Sequence, residues 1–205
     1  MRNTCIIFPA LFAAVLAGCA GTAPSVRHAT PFPATIALLP LSNQSLDVRA
    51  PELLRELLDT YLSAANFNLI NVKETEENLR GIGISEGGQL NSATPQKLAK
   101  LLEADALLYG DIETFNNTNI GVYAKRAVKV KLWLVDGKTG ATIWETAKNK
   151  ANSELGLSKA SARDVLVKGY ANKALENIMN NPLRPESDEV ARLLARELGK
   201  ARKNW

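Results

Sequence analysis

Two cysteines and one histidine are all that the 205-residue chain holds of these residue types. The histidine, His28, falls in a stretch with neither helical nor strand periodicity. A folded domain downstream therefore has no imidazole for a Ser-His-Asp or Cys-His arrangement. Cys5 and Cys19 both precede the first strand-like or helix-like segment of the domain, so a thiolate metal site within the fold is excluded. A long apolar span is also missing. The uncharged run 5–18, CIIFPALFAAVLAG, is shorter than the roughly 20 residues a membrane-crossing helix needs. Nor does one charge sign dominate: 25 Lys and Arg stand against 21 Asp and Glu, giving a net charge of +4. Bases interleaved with acids argue against nucleic acid as a partner, despite a basic pI near 9.1. No cofactor motif replaces these absences. Gly81-Ile-Gly83 followed by Gly87-Gly88 lacks the dinucleotide-binding spacing and the Lys-Ser/Thr ending of a phosphate-binding loop.

What is present begins with Met1-Arg2-Asn3, the apolar run and then Leu16-Ala17-Gly18-Cys19. A charged start, a short apolar core and small residues form a secretory signal. The ending resembles the lipobox of bacterial lipoproteins. That resemblance implies cleavage before Cys19, acylation of its sulfur and attachment to a membrane through this residue. Ala20 in the next position favours, by the same resemblance, the periplasmic face of the outer membrane. Loss of residues 1–18 removes Cys5 and Arg2, leaving a mature chain of net charge +3 with no possible disulfide. Its stability must come from a packed core, which 46% hydrophobic residues allow.

The chain then divides into four stretches: a signal at 1–18, a Pro-, Ala- and Ser-rich tether at 19–34, an α/β domain at 35–182 and a helical tail at 183–205. Thr35-Ile-Ala-Leu-Leu-Pro40 predicts a buried strand and 41–50 a polar loop. Leu53, Leu54, Leu57, Leu58, Tyr61 and Leu62 predict a helix from Pro51, closed at Asn66 in a left-handed conformation. Residues 67–72, FNLINV, predict a second strand, so 35–72 reads as a right-handed βαβ unit. Two helical turns are expected at 74–80 and a flexible glycine-rich loop at 81–90. Thr94-Pro95 starts a further helix, and 104–110 reads as a central strand with a polar exit through 115.

The alternation of VKVKLWLV at 128–135, the turn Asp136-Gly-Lys-Thr-Gly140 and the return at 141–147 predict an antiparallel hairpin. The expected register sets Val135 opposite Ala141, Trp133 opposite Ile143 and Lys131 opposite Glu145. A loop is expected at 151–159, and a helix striped by Leu166, Tyr170, Ala174 and Ile178 ends at Pro182. The last helix, about 187–201, carries Val190, Leu193, Leu194 and Leu198 on one side and Arg192, Arg196 and Lys200 on the other.

Three of these stretches also carry a family pattern. They are Leu39-Pro40 through Pro51, Ala104-Asp105 through Ile112, and Leu134-Val135-Asp136-Gly-Lys-Thr139-Gly140 through Glu145. In this order, behind the lipobox, they resemble the bacterial lipoprotein family labelled domain of unknown function 799. More distantly they resemble the N-terminal domain of TolB and the periplasmic domain of CsgG. The resemblance covers about residues 35–150 and gives the tail no counterpart. It implies an α/β fold, a mixed sheet with helices packed on it, ending in an antiparallel hairpin and C-terminal helices. It also implies an envelope role without catalytic residues.

The resulting expectation is a non-catalytic lipoprotein, anchored through Cys19, that binds envelope proteins of an assembly or export system. A homodimer formed through a strand edge or the last helix fits the same pattern. Two other readings remain open on the residues. One is a carrier of a small molecule or lipid, using a cleft beside 81–91. The other is a hydrolase working through Asp105, Asp111, Glu113 or Asp136, although no spacing among them singles out a pair. Asp136 serves most simply as a turn former, and Asp47 with Arg49 as a helix cap, a local ion pair or a recognition loop.

Overall fold

The computed structural model describes residues 31–120, 123–155 and 181–205. Cys19, His28 and the helix expected between 161 and 180 lie outside the described residues. Within them the strands are β1 (Ile36–Leu38), β2 (Ser42–Asn43), β3 (Ala106–Ile120), β4 (Tyr123–Asp136) and β5 (Thr142–Leu155). The helices are α1 (Ala50–Ala64), α2 (Val72–Gly81), α3 (Pro95–Leu101) and α4 (Arg184–Lys203). One mixed sheet runs β1-β3-β4-β5, with β2 extending the β1 edge. β1 and β2 pair with β3 in parallel, and β3-β4-β5 is an antiparallel meander. The expected mixed α/β architecture is the one observed.

Each face of the sheet carries its own core. On one face, Ala106, Leu108, Ile112, Val130, Leu132 and Leu134 pack under α1 and α4. On the other, Ala37, Leu39, Leu107, Tyr109 and Val135 meet Leu79, Ile84, Leu90 and Leu98. The alternation in β3 and β4 is therefore covered on both sides near the base of the sheet, as period-two patterning requires. The segment 183–205, set apart by its pattern, shares the first core: Leu183, Val190, Ala191, Leu194, Ala195 and Leu198 are buried there. Its basic stripe, Arg192, Arg196 and Lys200, is exposed as expected.

Several sequence expectations are corrected. The second strand at 67–72 reduces to a single parallel bridge between Ile36 and Leu69. Asn71 ends it, because its side chain accepts from Lys73 N at 2.9 Å and caps α2. The glycine-rich stretch is not a loose loop. Gly87–Ser92 forms a 3-10 turn held by Leu90 and by the Gln89 side chain, which accepts from Ser85 N at 2.7 Å. Gly87 lies so close under Leu41 that a Cβ would approach its carbonyl carbon to 2.3 Å. This glycine serves close packing of the turn against Leu41 and Ser42.

The hairpin strands extend beyond their apolar parts. β3 continues to Ile120, and β5 replaces the loop expected from 151 as far as Leu155. Residues 116–119 and 148–150 are polar, but the paired strands satisfy one another's backbone groups there. On β5, α4 supports this part through Lys148–Glu197 (3.4 Å) and Lys150–Glu189 (2.9 Å).

The β4–β5 register also differs from expectation. The turn closes with Asp136 N donating to Ala141 O (2.9 Å), one residue tighter than expected, with Gly140 at φ 72°. An irregularity beside Val135 then adds a second one-residue slip, since Val135 pairs with Thr142 and Leu134 with Trp144. Trp133 thus faces Glu145, and Lys131 faces Ala147. One slip reverses a strand's faces and two restore them. Lys131 and Glu145 therefore remain on one face as diagonal neighbours, with an ion pair at 3.2 Å.

A buried arginine joins the layers. Arg55 is 6% exposed. Its guanidinium donates to Leu38 O through Nη2 (2.9 Å) and to Glu76 Oε1 through Nη1 (2.6 Å), tying α1 to β1 and α2. Burial pulls its pKa down, and the Glu76 charge opposes that pull. Replacing Arg55 with Ala strands the Leu38 carbonyl, and the expected loss is about 3 kcal/mol. Arg55→Lys should recover less than half of it, because an ammonium lacks the planar fork that reaches both acceptors. Urea unfolding midpoints of the two variants measure this.

Candidate functional site

Three of the four carboxylates considered for chemistry have structural partners. Asp105 Oδ2 accepts from Thr35 N (3.0 Å) and Thr35 Oγ1 (2.9 Å), fastening the chain just before β1 to the start of β3. Glu113 pairs with Lys129 across β3 and β4. Asp136 Oδ1 accepts from Thr139 N (2.7 Å), Thr139 Oγ1 (2.8 Å) and Lys138 N (3.1 Å). Asp111 stands opposite Lys131 in the β3–β4 register. Among the described residues, no three His, Cys, Asp or Glu side chains gather as a metal site would require. No described helix is long and apolar enough to cross a membrane.

Three surface features remain. The first is an aromatic clasp where the chain enters the fold. Phe32 meets Trp205 edge-on at 5.1 Å and Phe67 at 6.0 Å. Arg202 lies 4.1 Å over the Phe67 ring and donates to Ala65 O (2.7 Å) and Asn66 O (2.8 Å). It thereby caps the end of α1, where Asn66 takes the expected left-handed conformation at φ 58°. Sequence pattern does not disclose this clasp, because isolated aromatics such as Phe32 and Trp205 have no periodicity. It packs Phe32, within the stretch 19–34, against the fold.

The second feature is the loop between β2 and α1. Leu46 is 101% and Val48 87% exposed, the highest values among the exposed large hydrophobic side chains. The backbone that presents them is fixed by short-range hydrogen bonds. Asn43 Oδ1 accepts from Ser45 N (3.0 Å), Asn43 Nδ2 donates to Asp47 O (2.9 Å) and Asp47 Oδ1 accepts from Arg49 N (2.9 Å). Of the roles expected for Asp47 and Arg49, the local ion pair is present at 3.8 Å, whereas α1 begins without a side-chain cap. Burying a Leu or Val side chain contributes about 1.5–3 kcal/mol each, so this loop holds an unused hydrophobic contribution. Alternation of Leu46 and Val48 with polar residues was the signal available in the sequence.

The third feature is a surface groove of about 460 Å³ between α1 and the start of α2, lined by Asp59, Ser63 and residues 69–73. It lies away from residues 81–91, where the sequence placed a cleft.

Comparisons with known proteins agree with this architecture. A family model described as "Putative lipoprotein GNA1162-like" matches residues 26–203. The match runs through α4, the segment for which the sequence resemblance offered no counterpart. "Putative lipoprotein NMB1124/NMB1162" of Neisseria meningitidis serogroup B is 25% identical over 112 residues, covering 55% of this chain and 52% of that protein. The chain thus spans about half the length of this curated relative. The crystal structure of lipoprotein GNA1162 from Neisseria meningitidis aligns with a TM-score of 0.54 at 23% identity, over 70% of this chain and 99% of that one. The hypothetical protein CT253 from Chlamydia trachomatis aligns with a TM-score of 0.51 at 16% identity, over 80% and 95%. At these identities the two structures show the fold alone.

The Asp136 turn gives a testable consequence. Its hydrogen bonds from Thr139, ahead of those from Lys138, hold the carboxyl pKa below its ordinary value of 3.8. A lowered folded pKa stabilises above the unfolded pKa, about 3.9, and that stability is lost as pH falls through the folded value. Asp136→Asn should therefore be less stable than wild type by a constant amount from neutral pH to about pH 5. The difference should shrink below pH 4. Urea titrations at stepped pH read this gap.

Proposed function

Because the chain belongs to the GNA1162-like lipoprotein family, we propose that it is cleaved before Cys19 and held to the outer membrane by acyl chains on that residue. Its domain then faces the periplasm as a non-catalytic protein-interaction module of an envelope assembly or export system. The observation that carries this reading is Leu16-Ala17-Gly18-Cys19, standing directly ahead of a domain whose family is one of lipoproteins. The likeness to the TolB and CsgG domains in the three quoted motifs supports the assembly or export setting.

The physical arguments run the same way. One acyl chain gives only marginal anchorage, whereas two or three hold a protein durably. Between Cys19 and the clasp at Phe32 lie few enough residues that the domain stays within about 45 Å of the membrane even when the tether is fully extended. The clasp fixes which end of the domain faces the tether. Asp105, Glu113 and Asp136 are committed to Thr35, Lys129 and Thr139, and the exposed Leu46–Val48 loop suits contact with a protein surface. In this reading 19–31 is a spacer and 32–205 the module.

Cys19→Ala is the test. Expressed in the native host, the variant should accumulate as an uncleaved precursor of higher mass, with no acyl chain detected by mass spectrometry. A Cys19→Ala chain that still matures and fractionates with membranes overturns the lipid-anchor reading.

A further inference from the structure

The charges of α4 separate by sign. Its acids are turned to partners within the domain. Glu186 accepts from Asn152 Nδ2 (2.8 Å) and pairs with Arg126 (3.3 Å). Asp188 accepts from the Tyr61 hydroxyl (2.7 Å), Glu189 pairs with Lys150 (2.9 Å) and Glu197 with Lys148 (3.4 Å). The bases Arg192, Arg196, Lys200 and Lys203 are exposed instead. Lys200 also meets Glu197 (3.1 Å) and Arg192 lends charge to the surroundings of Glu189. Among the described residues, Arg196 and Lys203 have no ion-pair partner. Spacings of four, four and three residues set these bases on one helix face, about 16 Å long. The macrodipole accounts for Lys200 and Lys203 in the last turn, but not for Arg192 and Arg196 in the middle of the helix. We infer, on the lipid-anchor reading, that this face of α4 lies against the anionic phospholipid headgroups of the membrane that holds Cys19.

The clasp puts the tether in the right place for this contact. Phe32 packs edge-on against Trp205, which follows directly on α4, so the tether leaves the domain at the C-terminal end of that helix. The stretch from Cys19 to Phe32 spans about 20 Å as a flexible coil. A domain held at that range meets the membrane surface at roughly millimolar effective concentration. Each base within a Debye length, about 8 Å, of an anionic leaflet strengthens the contact roughly fivefold. A few bases on one face are then enough, although the same face would bind lipid only weakly without a tether. Residues 60–72, which adjoin the clasp, carry no charged side chain. α4 and α3 cover opposite faces of the sheet, so with α4 on the headgroups the exposed Lys97 and Lys100 of α3 lie on the far side of the domain.

Lysine acetylation on vesicles tests the contact. The mature chain from Cys19 to Trp205 holds a single thiol, which is coupled to a maleimide lipid in vesicles. The tether is thereby supplied chemically, and the outcome does not depend on whether Cys19 is acylated in the cell, which the Cys19→Ala experiment reads separately. One set of vesicles is phosphatidylcholine alone, and the other carries about one-third phosphatidylglycerol. Acetylation by an N-hydroxysuccinimide ester is followed by peptide mass spectrometry. Lys200 should react at least fivefold more slowly on the anionic vesicles than on the neutral ones, with Lys97 and Lys100 unchanged. In 0.5 M salt, where the Debye length falls to a few ångströms, the two rates for Lys200 should converge. Arg196→Glu/Lys203→Glu alters two exposed positions, so its circular dichroism spectrum should match wild type. Its Lys200 should react equally on both vesicles. Equal rates for wild-type Lys200 on the two vesicles overturn the inference and leave the stripe to solvent or to a protein. Slowing of Lys97 and Lys100 by as much as Lys200 also overturns it, as does a variant protected like wild type.

Discussion

Ala106 and Leu108 of β3 point into one core, and Leu107 and Tyr109 into the other. Other elements take their places from that division. β1 pairs on one edge of β3 and β4 on the other, and α1 and α4 cover the first face. α2, the 3-10 turn and α3 cover the second. A slip of one residue in β3 would exchange the two sets of side chains. The strand is consequently pinned at its start, where Thr35 and Asp105 bond reciprocally: Thr35 N donates to Asp105 Oδ2 and Asp105 N to Thr35 Oγ1, each at 3.0 Å. With no cysteine in the described domain to form a disulfide, such polar pins set the register of an otherwise apolar contact.

Arg55 works on the same principle in a deeper position. The Leu38 carbonyl accepts from its guanidinium, and Glu76 on α2 supplies the compensating charge. A buried cation adds stability only when its partners are complete. Its worth here is geometric as much as energetic, since the same residue fixes α1 against β1 and places α2. The start of α2 and the later turns of α1 together wall the groove, so the shape of that surface depends on a residue that does not line it.

Helices were legible in the sequence where an apolar stripe met a cap. Leu53, Leu54, Leu57, Leu58 and Leu62 gave α1, Asn66 gave its end, and Thr94-Pro95 gave the start of α3. The hairpin was legible through 128–135 because those residues alternate against a core. Beyond them, Asn116, Asn117, Asn149 and Asn152 carry little strand preference, and only pairing with neighbouring strands extends the sheet. The register was hidden in the turn, where two one-residue slips preserved the faces and changed every partner. The lipobox resemblance rests on a short linear sequence and needs no fold to be read. The groove was not legible, because it brings together residues from two helices and the segment between them. Residues 41–50 read as a polar loop, and the exposure of Leu46 and Val48 within it follows from the turn network around Asn43 and Asp47.

The clasp links Phe32, among the first residues of the fold, to Arg202 and Trp205 at the far end of α4 through Phe67. A polypeptide emerging from a ribosome or a translocation pore presents Phe32 long before α4 exists. During that interval the entry to β1 has no aromatic cover, and the carbonyls at the end of α1 have no guanidinium. Closure therefore comes late in biosynthesis, after the sheet and the final helix have both arrived. Where it forms, the clasp marks a chain whose intervening segments have been delivered, and it seals the junction through which pull from the N-terminal side reaches the domain.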